Sequence, residues 1–425
     1  MRTNPNRLVS SWKSPAGYGF IMLATMQVAY GFANSVNNNV ITNFFADVLH
    51  FTGPQFGYMT AIREVGGLML IALMAVLYRV SIPRLTATAM VLLAVGYALF
   101  GFATGFASII PWILISSFGM HIVFQTQFSL GMSLTTQERS GHVLGRMGAY
   151  AQAGTFVALV LVFFIFRYAL LSYRWTFIMC GVAAFAGAVA IFRFPDLHEG
   201  QLRKVAATPE RIVWRRDYRW YYWLNVLDGI RQQIFFSFGL WVLVNRFEMQ
   251  VEDISLLLMI VTVIGIFSSP YLGRLIDRLG ERRMLQSINV GYVIALAGYA
   301  LSNNVYLACF FYVVYSFIFP FSTIGASTYL RKIAVPEDIG PSLAMGVTLL
   351  HVTAVVVPVI AGFILNFVGY QVPFFIACGA AVVTVAVTHR LDPVGQRSAA
   401  RVALDESLRA SREALKKAAD EEASS

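Results

Sequence analysis

The sequence predicts an all-α membrane protein: twelve transmembrane helices in two pseudo-symmetric six-helix bundles, with both termini in the cytoplasm. Three observations carry that expectation. Charge is scarce, it is gathered between long charge-free stretches, and the pattern repeats. Of 425 residues, 57% are hydrophobic, 14% aromatic and only 13% charged. A soluble chain carries roughly 25% charged residues, so membrane lipid must be the solvent for much of this one.

The charge-free stretches run over 14–46, 85–137, 147–166, 175–192, 254–273, 284–330 and 339–389. A helix crosses the hydrocarbon core in about 20 residues. The stretch 14–46 therefore reads as one long helix, while 85–137, 284–330 and 339–389 each hold a pair. The pairs divide near Gly105–Ala107, Ser302–Asn304 and Phe367–Tyr370, where turn residues gather. Two further spans, near 54–78 and 218–245, are apolar but each is interrupted by a charge pair. They bring the count to twelve. Met1–Lys13 has no short apolar core with a small-residue cleavage site, so no signal peptide is expected.

Orientation follows from the basic residues. One side of the predicted topology holds 27 of the 32 Lys and Arg, including Arg203, Lys204, Arg211, Arg215 and Arg216 of the longest connection. The other side holds three: Arg167, Arg174 and Arg246. The net charge of +10 is thus topology in a cell (inner or plasma) membrane, and no nucleic-acid partner is implied. Trp112, Trp175 and Trp241 fall near the outer interface, where an amphipathic ring sits well.

The charge-free stretch 85–137 recurs as 284–330, a shift of 199 residues, and the neighbouring spans follow at nearly the same shift. The chain therefore divides into an N-terminal six-helix bundle (1–194), a cytoplasmic linker (195–217), a C-terminal bundle (218–390) and a charged tail (391–425). The tail carries Leu404, Leu408 and Leu415 at helical spacing and reads as a solvated helix or a frayed end. Cys180, Cys309 and Cys378 lie in separate apolar stretches, with neither disulfide nor metal spacing. Buried thiols are expected, with no metal and no cofactor.

The loop between the eighth and ninth spans carries a motif: Gly273-Arg-Leu-Ile-Asp277-Arg278-Leu-Gly280-Glu-Arg282-Arg283. Gly273 permits close helix approach, Asp277 can accept hydrogen bonds at a neighbouring helix N-terminus, and Gly280 suits a tight turn. The loop resembles the G-x-L-x-D-R-x-G-x-R-R loop of the major facilitator superfamily, and the span count, central linker and repeat extend the likeness to the whole chain. In that family such a loop latches the halves in the outward-facing state, a role the resemblance implies for these residues. The equivalent first-half loop departs from the pattern, with Tyr78 in place of the aspartate. The fifth span also lacks the Gly-Pro signature of the family's drug/proton antiporters.

A charge inside a span costs at least about 2.5–3.5 kcal/mol on insertion scales, so it normally faces a cavity or a partner. Four remain once loops are assigned: Arg63, Glu64, Asp228 and Arg231, summing to zero. Asp228 and Arg231 are i,i+3 and can pair within one helix. Arg63 and Glu64 are adjacent, so they are expected to point about a hundred degrees apart and not to meet at one point. The first span adds Gln27, Asn34, Asn37, Asn38, Asn39 and Asn43, with Asn34 and Asn38 on one face and Gln232 matching Asn34 by the repeat. His121 and Gln125 share a face of the fourth span; Gln152 and His351 lie mid-span. Each has a bland alternative as a packing or ion-pairing group.

The resemblance implies that the first, fourth, seventh and tenth spans line a central cavity, and that the second, fifth, eighth and eleventh form the interface between halves. Asn34, Asn38, His121, Gln125, Arg231 and Gln232 then become substrate-binding candidates. Arg63, Glu64, Gln152, Asp228 and His351 become proton-coupling or gate candidates. The expected function is secondary active transport of a small polar solute, anionic or zwitterionic, by alternating access of a monomer with H+ as the coupling ion. A proton-driven efflux antiporter of amphipathic compounds is the alternative within the class, and a non-transporting membrane sensor or scaffold the alternative outside it. No nucleophile–base spacing or phosphate loop points to an enzyme.

Overall fold

A computed structural model of the protein describes residues 14–77, 79–135, 140–195 and 214–424. Tyr78, Arg203, Lys204 and Arg211 lie outside the described residues. The chain forms α1 (Pro15–Asn43), α2 (Gly53–Leu77), α3 (Ile82–Phe100), α4 (Phe106–Ser133), α5 (Ser140–Arg167), α6 (Tyr173–Phe192) and α7 (Arg219–Asn245). It continues with α8 (Val251–Leu301), α9 (Val305–Ile333), α10 (Pro336–Val368), α11 (Gln371–His389) and the tail helix α12 (Ala399–Ser424). Local chemistry sets the starts. The Ser14 hydroxyl accepts from the Gly17 amide at 3.1 Å ahead of Pro15, and Asn304 accepts from the Tyr306 amide at 2.7 Å. Each cap satisfies an amide that the helix itself leaves open.

Among the described residues, nine helical segments are long and apolar enough to cross a membrane, two of them from α8: Val251–Ser268 and Arg282–Leu301. The helices α1, α2 and α7 are not among the nine. The amide stripe lowers the hydropathy of α1 and the Asp228–Arg231 pair that of α7; in α2 the side chain of Ile71 lies outside those described. A straight helix of 51 residues would measure about 75 Å. Yet Met249 Sδ, before α8, lies 3.7 Å from Cys309 Sγ, after it. The chain therefore folds back between its two apolar arms, yet residues 273–283, expected as a loop, are helical throughout. The side chains of Gly273, Asp277, Arg278 and Gly280 fall outside those described; Arg282 and Arg283 are exposed.

Helices α1, α5 and α6 pack together, as do α3, α4 and α6; in the second half α7 packs on α10 and α11, and α8 on α9 and α11. The halves meet where α2 packs on α10 and α5 on α8. The α2–α10 contact is close because α2 begins Gly53-xxx-Gly57, a small-residue spacing that lets backbones approach. A Cβ at Gly57 would lie 2.3 Å from the Pro358 carbonyl oxygen, and one at Gly53 2.9 Å from that of Gly362. At the same end Asn39 donates to Ser255 at 2.6 Å and Asn43 to the Met249 carbonyl at 2.9 Å. Trp241, expected as an interfacial anchor, is instead 1% exposed and stacks on Phe56 with centroids 4.4 Å apart. Its α7 position turns it toward α2, where two flat rings fill the seam between halves.

At the opposite end Arg215 pairs with Asp338 at 2.6 Å and Tyr218 donates to the same carboxylate at 2.9 Å. The tail is tethered nearby. Tyr329 donates to Gln396 at 2.7 Å, and the Ser398 amide to the Ile333 carbonyl at 3.1 Å. A free frayed end is thus not what its first residues form.

The Gly57 contact yields a prediction. Gly57→Leu should lower the Tm of the purified protein by overpacking worth about 1–3 kcal/mol, read by fluorescence-detected melting. Gly148→Ala, where an added Cβ meets nothing within 4 Å and alanine suits a helix interior better than glycine, should keep Tm or raise it.

Candidate functional site

A cavity of about 320 Å³ lies between the halves. The first half contributes Asn37, Asn38 and Thr42 of α1, Thr60 and Arg63 of α2, Tyr97 of α3, and Ser116 and Ser117 of α4. The second contributes Phe236 and Ser237 of α7, Leu258 of α8 and Tyr312 of α9. Among the described residues Arg63 is the one charged side chain in this lining, and it is 43% exposed. Among the described residues the buried Asn37 Oδ1 has no hydrogen-bond partner. The lining is therefore a cation, an open amide acceptor, several hydroxyls and aromatic faces. Ligand sites combine apolar walls with a few placed polar groups in this way, in cavities of about 300–1,000 Å³.

Of the first-span amides, Asn38 reaches the cavity. Asn34 does not: it accepts from the Tyr97 hydroxyl at 3.0 Å and so stands behind a lining residue. Gln27 donates to Gln127 at 3.0 Å. Helical pitch placed Asn34 and Asn38 on one face, but the opening lies on the Asn37–Asn38 side, because α3 covers the other. Gln125 and Gln152 are exposed and Gln232 is half-buried, and none lines this cavity.

Behind Arg63 the structure gathers residues that the sequence reading had kept apart. Glu64 Oε2 lies 3.3 Å from His351 Nδ1 and 3.8 Å from His121 Nε2, and the two imidazole centroids are 5.4 Å apart. His121 belongs with this group rather than with the cavity lining. Arg63 Nε sits 3.6 Å from Glu64 Oε1, so the two adjacent side chains do meet. Their Cβ directions diverge as helical geometry requires; the long guanidinium stem bends back. The rings fit because Gly67 has no side chain. A Cβ there would lie 2.4 Å from His351 Cε1 and 2.8 Å from His121 Nε2. Glu64 and His121 come from the first half and His351 from the second, so the contact ties the halves at mid-depth. These are metal-ligating residue types with donor atoms within 4.8 Å of one another. Their separation along the chain, from 64 to 351, hid the grouping from any reading of ligand spacing.

Asp228 and Arg231 pair within α7, as their spacing predicts. Arg231 is 1% exposed and lies outside the central cavity. Its guanidinium carbon stands 3.4 Å from the Tyr292 ring centroid, with Tyr315 behind that ring at 5.7 Å, a cation–π contact the sequence reading missed. Only the aromatic positions of the ninth and tenth spans hinted at it. Asp228, 20% exposed, lines a second cavity of about 110 Å³ inside the second half, beside Asn225 and Asn289.

The family model described as Major Facilitator Superfamily matches residues 23–227 and again 222–418. The crystal structure of the nucleoside transporter NupG superposes with a TM-score of 0.71 at 15% identity, over 89% of this chain and 100% of that one. A D-xylose-proton symporter gives 0.70 at 12%, over 91% and 100%. The human organic anion transporter MFSD10 gives 0.59 at 13%, over 91% and 100%. At such identities the likeness is one of fold. No curated protein sequence matches.

The cation–π contact at Arg231 can be tested by stability. Tyr292→Leu should destabilise by about 0.5–2 kcal/mol, the range of a desolvated cation–π contact. Tyr292→Phe keeps the ring, and its hydroxyl has no partner to lose, so its Tm should stay near wild type.

Proposed function

The chain belongs to the Major Facilitator Superfamily, a family of membrane transporters, and from that premise we propose that it moves a small anionic or zwitterionic solute by proton-coupled alternating access. The observation that carries the reading is Arg63, the single charge among the described residues that line a cavity between the halves. Guanidinium takes carboxylate or phosphate bidentately. Asn37 Oδ1 offers an acceptor for a second polar group, and Phe236 and Tyr312 offer faces for an apolar part. The single chain is the working unit, since both of its halves line the cavity.

Coupling needs a carboxylate that can exchange its cationic partner for a proton. Asp228 suits this: it touches Arg231 on one side and a cavity on the other. When the guanidinium withdraws, a proton takes its place as the counter-charge. Glu64 is engaged by both histidines and serves as the tie between halves. The protein works in the cell membrane with both termini cytoplasmic, as the distribution of basic residues implies.

Two experiments test this reading. Small organic carboxylates and phosphates should raise the Tm of the purified protein, because a ligand that binds the native state stabilises it; Arg63→Gln should abolish that shift. Stabilisation by neutral sugars or nucleosides and by no anion would refute the anionic reading. In proteoliposomes Asp228→Asn should keep solute counterflow but lose accumulation driven by a pH gradient. Unimpaired gradient-driven accumulation in that variant would rule out Asp228 as the coupling group.

A further inference from the structure

The contact at Glu64 has a chemistry of its own, independent of which solute is carried. The Ser117 hydroxyl donates to the Arg63 carbonyl, so its proton is already used. His121 Nδ1 lies 2.9 Å from the Ser117 carbonyl oxygen, which can only accept. Nδ1 therefore carries a ring proton, which leaves Nε2, 3.8 Å from Glu64 Oε2, as the nitrogen available to a metal in the neutral ring. His351 Nδ1 lies 3.3 Å from the same oxygen, within hydrogen-bond reach, and becomes a second nitrogen ligand when a metal ion takes the place of the proton between them.

That is the arrangement of a ligand set. A histidine that binds a metal ordinarily donates its other ring N–H to a carbonyl or carboxylate, which fixes the tautomer. Zinc bonds to nitrogen and oxygen of about 2.0–2.1 Å imply ligand-to-ligand edges of about 3.3–3.4 Å in a tetrahedron. The measured 3.3 and 3.8 Å bracket or approach that edge, and all three donor atoms fall within 4.8 Å. A gap of 3.8 Å is too long for a hydrogen bond but suits two atoms flanking an ion. Arg63 contacts the other carboxylate oxygen, Oε1, and leaves Oε2 free to ligate. The side chains of Glu64, His121 and His351 are 13%, 8% and 22% exposed, so the site is sheltered, while Ser117 and Arg63 connect it to the cavity wall.

We propose that Glu64, His121 and His351 form a site for a divalent transition-metal ion such as Zn2+, with solvent or an anion completing the coordination. Two imidazoles and one carboxylate suit first-row divalent ions over Mg2+ or Ca2+. Because α2 and α4 supply two ligands and α10 the third, the ion binds tightly only in this arrangement of the halves. Binding therefore holds the transporter in this state and stops its cycle.

The test is a titration of the purified full-length protein with Co2+, followed by visible absorption, then displacement by Zn2+. One equivalent should give the intense bands of a four- or five-coordinate ion, and Zn2+ should abolish them. Glu64→Gln, His121→Asn and His351→Asn should each weaken binding at least about tenfold, as losses around metal sites do. His351→Cys should keep the site and add a thiolate-to-cobalt charge-transfer band, which a misfolded variant would not show. Zn2+ should also raise the Tm of the wild type and leave that of His351→Asn unmoved. A Co2+ spectrum that stays that of the aqueous ion, or affinities unchanged by all three substitutions, would overturn the proposal. So would a Zn2+-induced Tm shift that persists without His351.

Discussion

Everything polar in this protein answers to one constraint: a charge held in a low-dielectric span must have a counter-charge within reach. Arg63 has Glu64 and Arg231 has Asp228, each in contact on the same helix. The two pairs sit in opposite halves and are differently enclosed. Arg231 is sealed beneath Tyr292 with its carboxylate at the edge of a small cavity. Arg63 is open to the central cavity, and it is the carboxylate, Glu64, that is enclosed. The same solution to a charge problem thus presents a cation to the central cavity in one half and a carboxylate to a side cavity in the other.

The contacts between halves differ in chemistry along the depth of the molecule. At one end they are close backbone approach at Gly57 and Pro358, amide hydrogen bonds from Asn39 and Asn43, and the Phe56–Trp241 stack. These are neutral contacts, each worth about 0.5–1.5 kcal/mol. At mid-depth the tie is the carboxylate–imidazole contact of Glu64 with His351, whose strength depends on what cation stands between them. Neutral contacts that can be broken cheaply, next to a single carboxylate–imidazole tie, suit the seam whose opening the proposed alternating access requires.

The fold was legible because it follows from solvent. Scarce charge, charge-free lengths of about one or two spans and a repeat at 199 residues each report on lipid and on duplication, and the family match over both halves agrees. The Asp228–Arg231 pair was legible too, because i,i+3 is a local relation. The Glu64–His121–His351 cluster was not, since its members are joined only by packing of α2, α4 and α10. Asn34 misled for the same reason. Its helical face was right, but the neighbour that covers it, Tyr97, comes from another helix.

By itself the sequence determined that this is a duplicated helical membrane protein, and which few ionisable groups its spans must accommodate. Hydropathy and short-range helical geometry suffice for that, because both act through the residue and its immediate neighbours along the chain. Only the tertiary structure decided which of those groups meet. Arg63 was placed in the cavity, Arg231 beneath two tyrosines, and a carboxylate between two histidines from opposite halves. Each of those outcomes depends on side-chain reach and on glycine-permitted approach between helices distant in sequence, and no local pattern encodes them.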